Sequence, residues 1–205
     1  MATGTQLEAD PSSGRKWNDM LEEILPPQGE WTEEEYLVLT DHRNRLVEFT
    51  DGFLEVLPMP TDKHQSVLKF LFLAFFGFVE PRGRVQFAPL RLRIRPGKYR
   101  EPGLVLVTLA TDPRRQNRFW IGADLVLEVV SAEKPERDLV EKRGDYAEGG
   151  VLEYWIVDPQ AETISVLQLR GDVYEEAGAY RRGESATSVV LAGFSIPVAE
   201  VFDAD

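Results

Sequence analysis

A single carboxylate interrupts the apolar run Leu125-Val126-Leu127-Glu128-Val129-Val130. The flanking residues are those of a buried strand. A carboxylate there must be paired with a cation, protonated or bound to a metal ion. An ion pair with arginine or lysine is the plain alternative to a metal. Downstream, Asp138, Lys142 and Tyr146 stand at i, i+4 and i+8, a spacing that puts all three on one helix face. Taken alone, Asp138 and Lys142 read equally well as a surface ion pair. Upstream, Glu48 lies just before an Asp-Gly turn and reads either as a site acid or as a solvent-facing strand residue. The chain has no cysteine and only two histidines, His42 and His64. Thiolate zinc sites, disulfides, cysteine nucleophiles and multi-histidine metal sites are therefore excluded. Any metal would be a hard cation held by carboxylates, such as magnesium or manganese.

These residues need elements to hold them. Thr32 with Glu35 is a capping-box pattern and predicts a helix over 32–39. A shorter helix is expected over 17–25, stopped by Pro26-Pro27. Two apolar-rich runs, 46–50 and 53–57, flank Asp51-Gly52 and predict a hairpin that carries Glu48. Thr61 or Asp62 caps a long helix through about Glu80. Residues 84–95 give one or two strands. In Leu90-Arg91-Leu92-Arg93-Ile94-Arg95 the aliphatic residues share one face and the arginines the other. Strands are expected at 104–109, 125–130, 152–157, 163–169 and 172–175, and a helix at 135–148 stopped by Gly149-Gly150. The end of the chain, through Phe202, reads as short strands and turns. The expected fold class is α+β: one domain over 17–205, a central mixed sheet flanked by helices, behind a flexible tail at 1–16.

Hydrophobic residues make up 43% of the 205, enough for a core, so global disorder is not expected. The most apolar run, Val67 to Val79, spans about 13 residues against the roughly 20 needed to cross a bilayer, so no membrane association is expected. No signal peptide is legible in Met1 to Lys16, and the absence of cysteine fits a reducing cytoplasm. The formal net charge of −12 weighs against a protein that coats nucleic acid. Yet Arg82, Arg84, Arg91, Arg93, Arg95, Lys98 and Arg100 fall in one stretch with no acid. Arg91, Arg93 and Arg95 are the candidate DNA-contacting face; the alternative is a solvated strand edge guarded by charge. Arg114, Arg115 and Arg118 form a second basic loop. No phosphate-binding glycine loop and no Gly-x-Ser-x-Gly elbow is present.

The succession Glu48-x2-Asp51-Gly52, His64, Arg100-Glu101-Pro102, 123–129 (Ala-Asp-Leu-Val-Leu-Glu-Val), Asp138-x3-Lys142-x3-Tyr146 and 150–159 (Gly-Val-x-Glu-Tyr-Trp-Ile-Val-Asp-Pro) resembles the Uma-two family of bacterial restriction endonucleases, in the PD-(D/E)XK nuclease superfamily. The resemblance spans roughly 32–202, and the Glu-Tyr-Trp-Ile-Val-Asp-Pro piece is its most specific part. It implies a restriction-endonuclease-like core that hydrolyses phosphodiester bonds of DNA with magnesium or manganese. Glu48, Glu128 and Lys142 correspond to the catalytic residues, with the lysine moved from the strand to the following helix. In such a site the ions polarise the phosphate and activate water, and the ammonium adds positive charge. His64, at the start of the long helix, is either an accessory residue or a maker of a local hydrogen bond.

The departure is at position 103. The resemblance calls for Pro-Asp where this chain has Pro102-Gly103, and that aspartate is a metal ligand. Glu101, two residues back and on the same face of an extended chain, is the candidate replacement, which makes Glu128 and Glu101 the expected metal ligands. The alternative is a non-catalytic nuclease-fold protein that binds nucleic acid or a protein partner. A homodimer is expected only by analogy with nucleases that pair to cut two strands.

Overall fold

A computed structural model describes residues 25–42, 45–131, 133 and 136–205. The expected tail and the helix expected from Trp17 lie outside them, apart from Leu25. The first helix, α1 (Glu33–Asp41), starts with the full capping box. The Glu35 amide donates to Thr32 Oγ1 at 3.2 Å, and the Thr32 amide donates back to Glu35 Oε2 at 2.8 Å. Strands β1 (Val47–Thr50) and β2 (Phe53–Val56) form the hairpin around Asp51-Gly52. Both turn residues have positive φ, 47° and 90°, the primed geometry that suits a twisted two-residue hairpin. Thr61 caps the 18-residue α2 (Asp62–Val79) by accepting from the His64 amide.

Next come β3 (Arg84–Phe87), β4 (Leu92–Arg95), β5 (Lys98–Arg100), β6 (Leu104–Val107) and β7 (Leu125–Val129). A π-helical turn, Arg137–Glu141, runs directly into α3 (Lys142–Glu148). Then follow β8 (Glu153–Asp158), β9 (Thr163–Arg170), β10 (Val173–Arg181), β11 (Ser185–Thr187), β12 (Ser195–Pro197) and α4 (Val198–Asp203). The central sheet has six strands in the order β10-β9-β8-β7-β6-β3 and is mixed, because β7 and β8 alone pair in parallel. A four-stranded sheet, β2-β1-β5-β4, and the pair β11-β12 stand beside it.

Strand alternation sorts the core into two faces. Leu125, Leu127 and Val129 of β7 pack with Val67, Leu71 and Phe75 of α2. Val126 and Val130 pack with Tyr146 of α3 and Tyr154. Glu128 shares the parity of Val126 and Val130, so it faces α3. The parallel β7–β8 pair requires a crossover, and residues 137–148 of that crossover bring Lys142 over the same face.

Four expectations change. The arginine-rich strand begins at Leu92, since Arg91 is buried against α1. The helix over 135–148 starts with the π turn. The strand expected at 172–175 extends to Arg181, because the outer face of an edge strand tolerates Glu175, Glu176 and Gly178. The chain end holds a helix: Val198, Val201 and Phe202, at i, i+3 and i+4, are all buried.

Candidate active site

Glu128 sits in the middle of β7, 5% exposed. Its Oε1 accepts from Lys142 Nζ at 2.6 Å and from the Tyr146 hydroxyl; its Oε2 accepts from the Gly103 amide at 3.2 Å. Lys142 Nζ also lies 3.0 Å from Asp138 Oδ1 and 3.8 Å from Glu48 Oε1. Asp138, Lys142 and Tyr146 thus share one helix face, as their spacing requires, and that face is buried.

Glu48 is 2% exposed, inside the molecule and not toward solvent. Its Oε2 takes the Arg137 guanidinium and lies 3.3 Å from Arg100 Nε. Its Oε1 accepts from the Glu101 amide at 3.3 Å. Arg100 Nε and Nη2 also reach Asp145 Oδ2, at 2.8 and 2.7 Å, and its Nη1 donates to Thr50 Oγ1 at 2.9 Å and to the Tyr99 carbonyl at 3.0 Å. Asp138 is fixed separately, by the Ser131 amide at 3.3 Å and by Tyr154, whose hydroxyl donates to its carbonyl at 2.7 Å.

Burial disfavours the charge on Lys142, but Glu128, Glu48 and Asp138 outweigh it and raise its pKa. Burial pushes the Glu128 carboxyl up against the opposing pull of Lys142. The ammonium form of Lys142 is the one this geometry holds. His64 stands in the first turn of α2, where the charges of Asp138 and Lys142 reach it. Burial lowers its pKa, and its Nδ1 is buried without a hydrogen-bond partner.

Glu101 does not join this cluster. Its Oε2 accepts from the Val47 amide at 2.9 Å, at the start of β1. The start of β1 presents an amide that captures it, and Pro102 breaks the simple two-residue parity from which the replacement is expected. Burial, with a smaller contribution from the Glu48 charge, pushes the Glu101 carboxyl up to about 8. It borders a cavity of about 390 Å³ shared with Thr40, Asp41, Arg45, Arg91, Asn117 and Arg118.

Gly103 is buried, and a Cβ built on it would stand 3.8 Å from Glu128 Oε2. An acidic side chain at this position would lie beside Glu128. Glycine supplies only its amide.

The arginine stripe is committed to acids. Arg91 donates to Thr40 and Asp41, Arg95 grips Asp51 with two bonds of 2.8 and 2.7 Å and also Glu148, and Arg93 lies 3.9 Å from Glu33 with its guanidinium over Phe119. Arg118 is held by Asp41 and Glu34.

The described residues do not fit a divalent cation as they stand. Among them no group of three or more His, Cys, Asp or Glu side chains is disposed to hold a metal ion. Glu128 spends both oxygens on Lys142, Tyr146 and the Gly103 amide. Glu48, Glu128 and Asp138 are balanced by Lys142, Arg137 and Arg100. Arg137 is the member that spacing does not single out; its sole sequence signal is its place one residue before Asp138.

The chain matches the Uma2 family, described as putative restriction endonuclease, over residues 33–199. No curated protein matches it. Among solved structures, a putative nuclease belonging to DUF820 from Anabaena variabilis superimposes with a TM-score of 0.71 at 18% identity, covering 84% of this chain and 97% of that one. At that identity the likeness establishes the fold.

Proposed function

The chain belongs to the Uma2 family, and from that membership we propose that it is a restriction-endonuclease-like protein that engages DNA while its phosphodiester-cleaving centre is severely weakened. The observation that carries the reading is Gly103. The acid that the family resemblance places beside Glu128 is replaced by a backbone amide, and Glu101 points elsewhere. A scaffold of this kind acts by holding nucleic acid, with Arg45 and Asn117, which line the cavity near Glu101, as phosphate contacts.

A second reading keeps low hydrolytic activity with magnesium or manganese. One observation favours it: Glu48, Glu128 and Asp138 still converge within 4 Å of Lys142 Nζ. The expected catalytic trio, Glu48, Glu128 and Lys142, belongs to this reading. The expected dimer is carried by the exposed Leu73 and Phe76 of α2 and Phe87 of edge strand β3, an apolar face that two copies could share.

Nicking of supercoiled plasmid with manganese at low salt tests the pair of readings, with Glu128→Gln alongside. We expect no nicking by the natural protein above the Glu128→Gln background, together with salt-sensitive duplex binding measured by fluorescence anisotropy. Nicking that Glu128→Gln abolishes would establish the second reading. Absence of duplex binding at low salt would leave a protein partner as the scaffold's target.

A further inference from the structure

The carboxylates of Glu48, Glu128 and Asp138 come from three different elements, β1, β7 and the π turn, and meet around one atom. That atom is Lys142 Nζ, at 3.8, 2.6 and 3.0 Å respectively. Three acids converging on a single point inside a protein require a cation at that point. We propose that the Lys142 ammonium occupies the cation position of this cluster, so that the natural protein holds a side-chain cation where a divalent ion would sit. The inference rests on the reading that the centre is weakened, and adds what fills it.

Three observations support the assignment. Lys142 is 4% exposed, so water screens its charge little. Gly103 adds no acid to the cluster, and its three acids already face Lys142, Arg137 and Arg100, the two arginines being shared with Glu55 and Asp145. Finally, the acids are positioned by groups other than Lys142. Arg137 and Arg100 fix the Glu48 carboxylate, the Ser131 amide fixes that of Asp138, whose backbone carbonyl is held by the Tyr154 hydroxyl, and the Gly103 amide and Tyr146 hydroxyl fix Glu128.

Removing the ammonium therefore leaves three oxygen ligands already placed. They surround the space freed by a lysine side chain, which is room for a hard cation with water completing its shell. To reach divalent-ion distances of about 2.0–2.6 Å the Glu128 and Asp138 oxygens must close in by about an ångström or less and Glu48 Oε1 by roughly 1.2–1.8 Å, a movement that a rotation of its side chain covers.

The test is manganese binding, followed by electron paramagnetic resonance of free Mn2+, for the natural protein, Lys142→Ala and the double variant Lys142→Ala with Glu128→Gln. We expect Lys142→Ala to bind one Mn2+ at least about tenfold more tightly than the natural protein, a difference of about 1.4 kcal/mol, and the double variant to lose that gain. Circular dichroism with and without Mn2+ covers the case in which Lys142→Ala does not fold alone: Mn2+ should then restore the fold. A folded Lys142→Ala without added affinity, or an unfolded one that Mn2+ does not rescue, would overturn the proposal. So would tight Mn2+ binding by the natural protein that Glu128→Gln removes. The assay contains no DNA, so its failure leaves duplex binding untouched, and absence of duplex binding leaves the Mn2+ result standing.

Discussion

Glu101 carries a carboxyl group that keeps its proton to about pH 8, against 4.5 for an ordinary glutamate, chiefly because it is buried. The fold binds this proton more tightly than the unfolded chain does. Its contribution to stability is complete below about pH 4.5 and is lost as pH rises through about 8. The Glu101→Gln variant keeps an oxygen for the Val47 amide and has no proton to lose. Denaturant melts at pH 5 and pH 8 should show the natural protein losing a few kcal/mol relative to that variant; parallel pH profiles would contradict the burial argument. At the same scale, Glu128→Ala leaves a buried ammonium short of its nearest partner and should cost about 3–5 kcal/mol. Glu128→Gln should cost less, since it retains a hydrogen-bonding oxygen. The sequence already marks Glu128, because a carboxylate within a strand of aliphatic residues has few ways to survive. It marks Lys142 and Asp138 through helical spacing. It is silent on Arg137, whose role depends on the π turn, and misleading on Glu101, because face-counting along a strand fails across Pro102.

Elements place these residues, and one element is held by a group that spacing leaves unremarked. Glu153 opens β8, fully buried. Its carboxylate accepts from Trp155 Nε1 and from the amides of Val189 and Val190 at 2.6 and 2.7 Å, pinning the 188–191 turn to the sheet. Glu153→Ala leaves three donors without their acceptor and should destabilise the protein by about 2–4 kcal/mol. Hydrogen exchange should show the largest loss of protection at 189–191. The hairpin, the capping box at Thr32 and the long helix α2 were legible because turn and cap chemistry is local. The length of β10 and the helix α4 were less so. Glutamates and a glycine break the strand pattern on a face that tertiary pairing alone stabilises, and six residues give a helical spacing little room to repeat.

Across the whole molecule, charge limits how the protein meets DNA. The net charge is −12, and most arginines around the cavity and the arginine stripe already hold acids. Duplex affinity should therefore fall with log salt concentration at a slope of magnitude below about 3, shallow beside proteins that neutralise many phosphates. A steep slope would place the contact on basic groups outside those pairs. No helix among the described residues is long and apolar enough to cross a membrane. The mixed sheet was legible as a class from the alternation of strands and helices. Its division from the four-stranded β2-β1-β5-β4 sheet was not, because nothing local to β5, three residues long, announces which partner it takes.

Gly103 has a consequence for descent. Glycine and aspartate codons can differ by a single base, so the acid that the family resemblance calls for is one mutation away. The packing leaves a side chain little room: a Cβ there would meet the Leu127 carbonyl oxygen at 3.0 Å and Leu68 Cδ1 at 3.2 Å. Leu127 cannot yield without disturbing β7, whereas Leu68 is one side chain on α2. Gain of an acid at 103 therefore favours a background in which Leu68 has first become smaller, and the order of the two mutations matters. Gly103→Asp in a Leu68→Ala background should be tolerated better, relative to its own parent, than Gly103→Asp alone. Contacts this close act as a ratchet: an acid is easier to lose from such a position than to gain there.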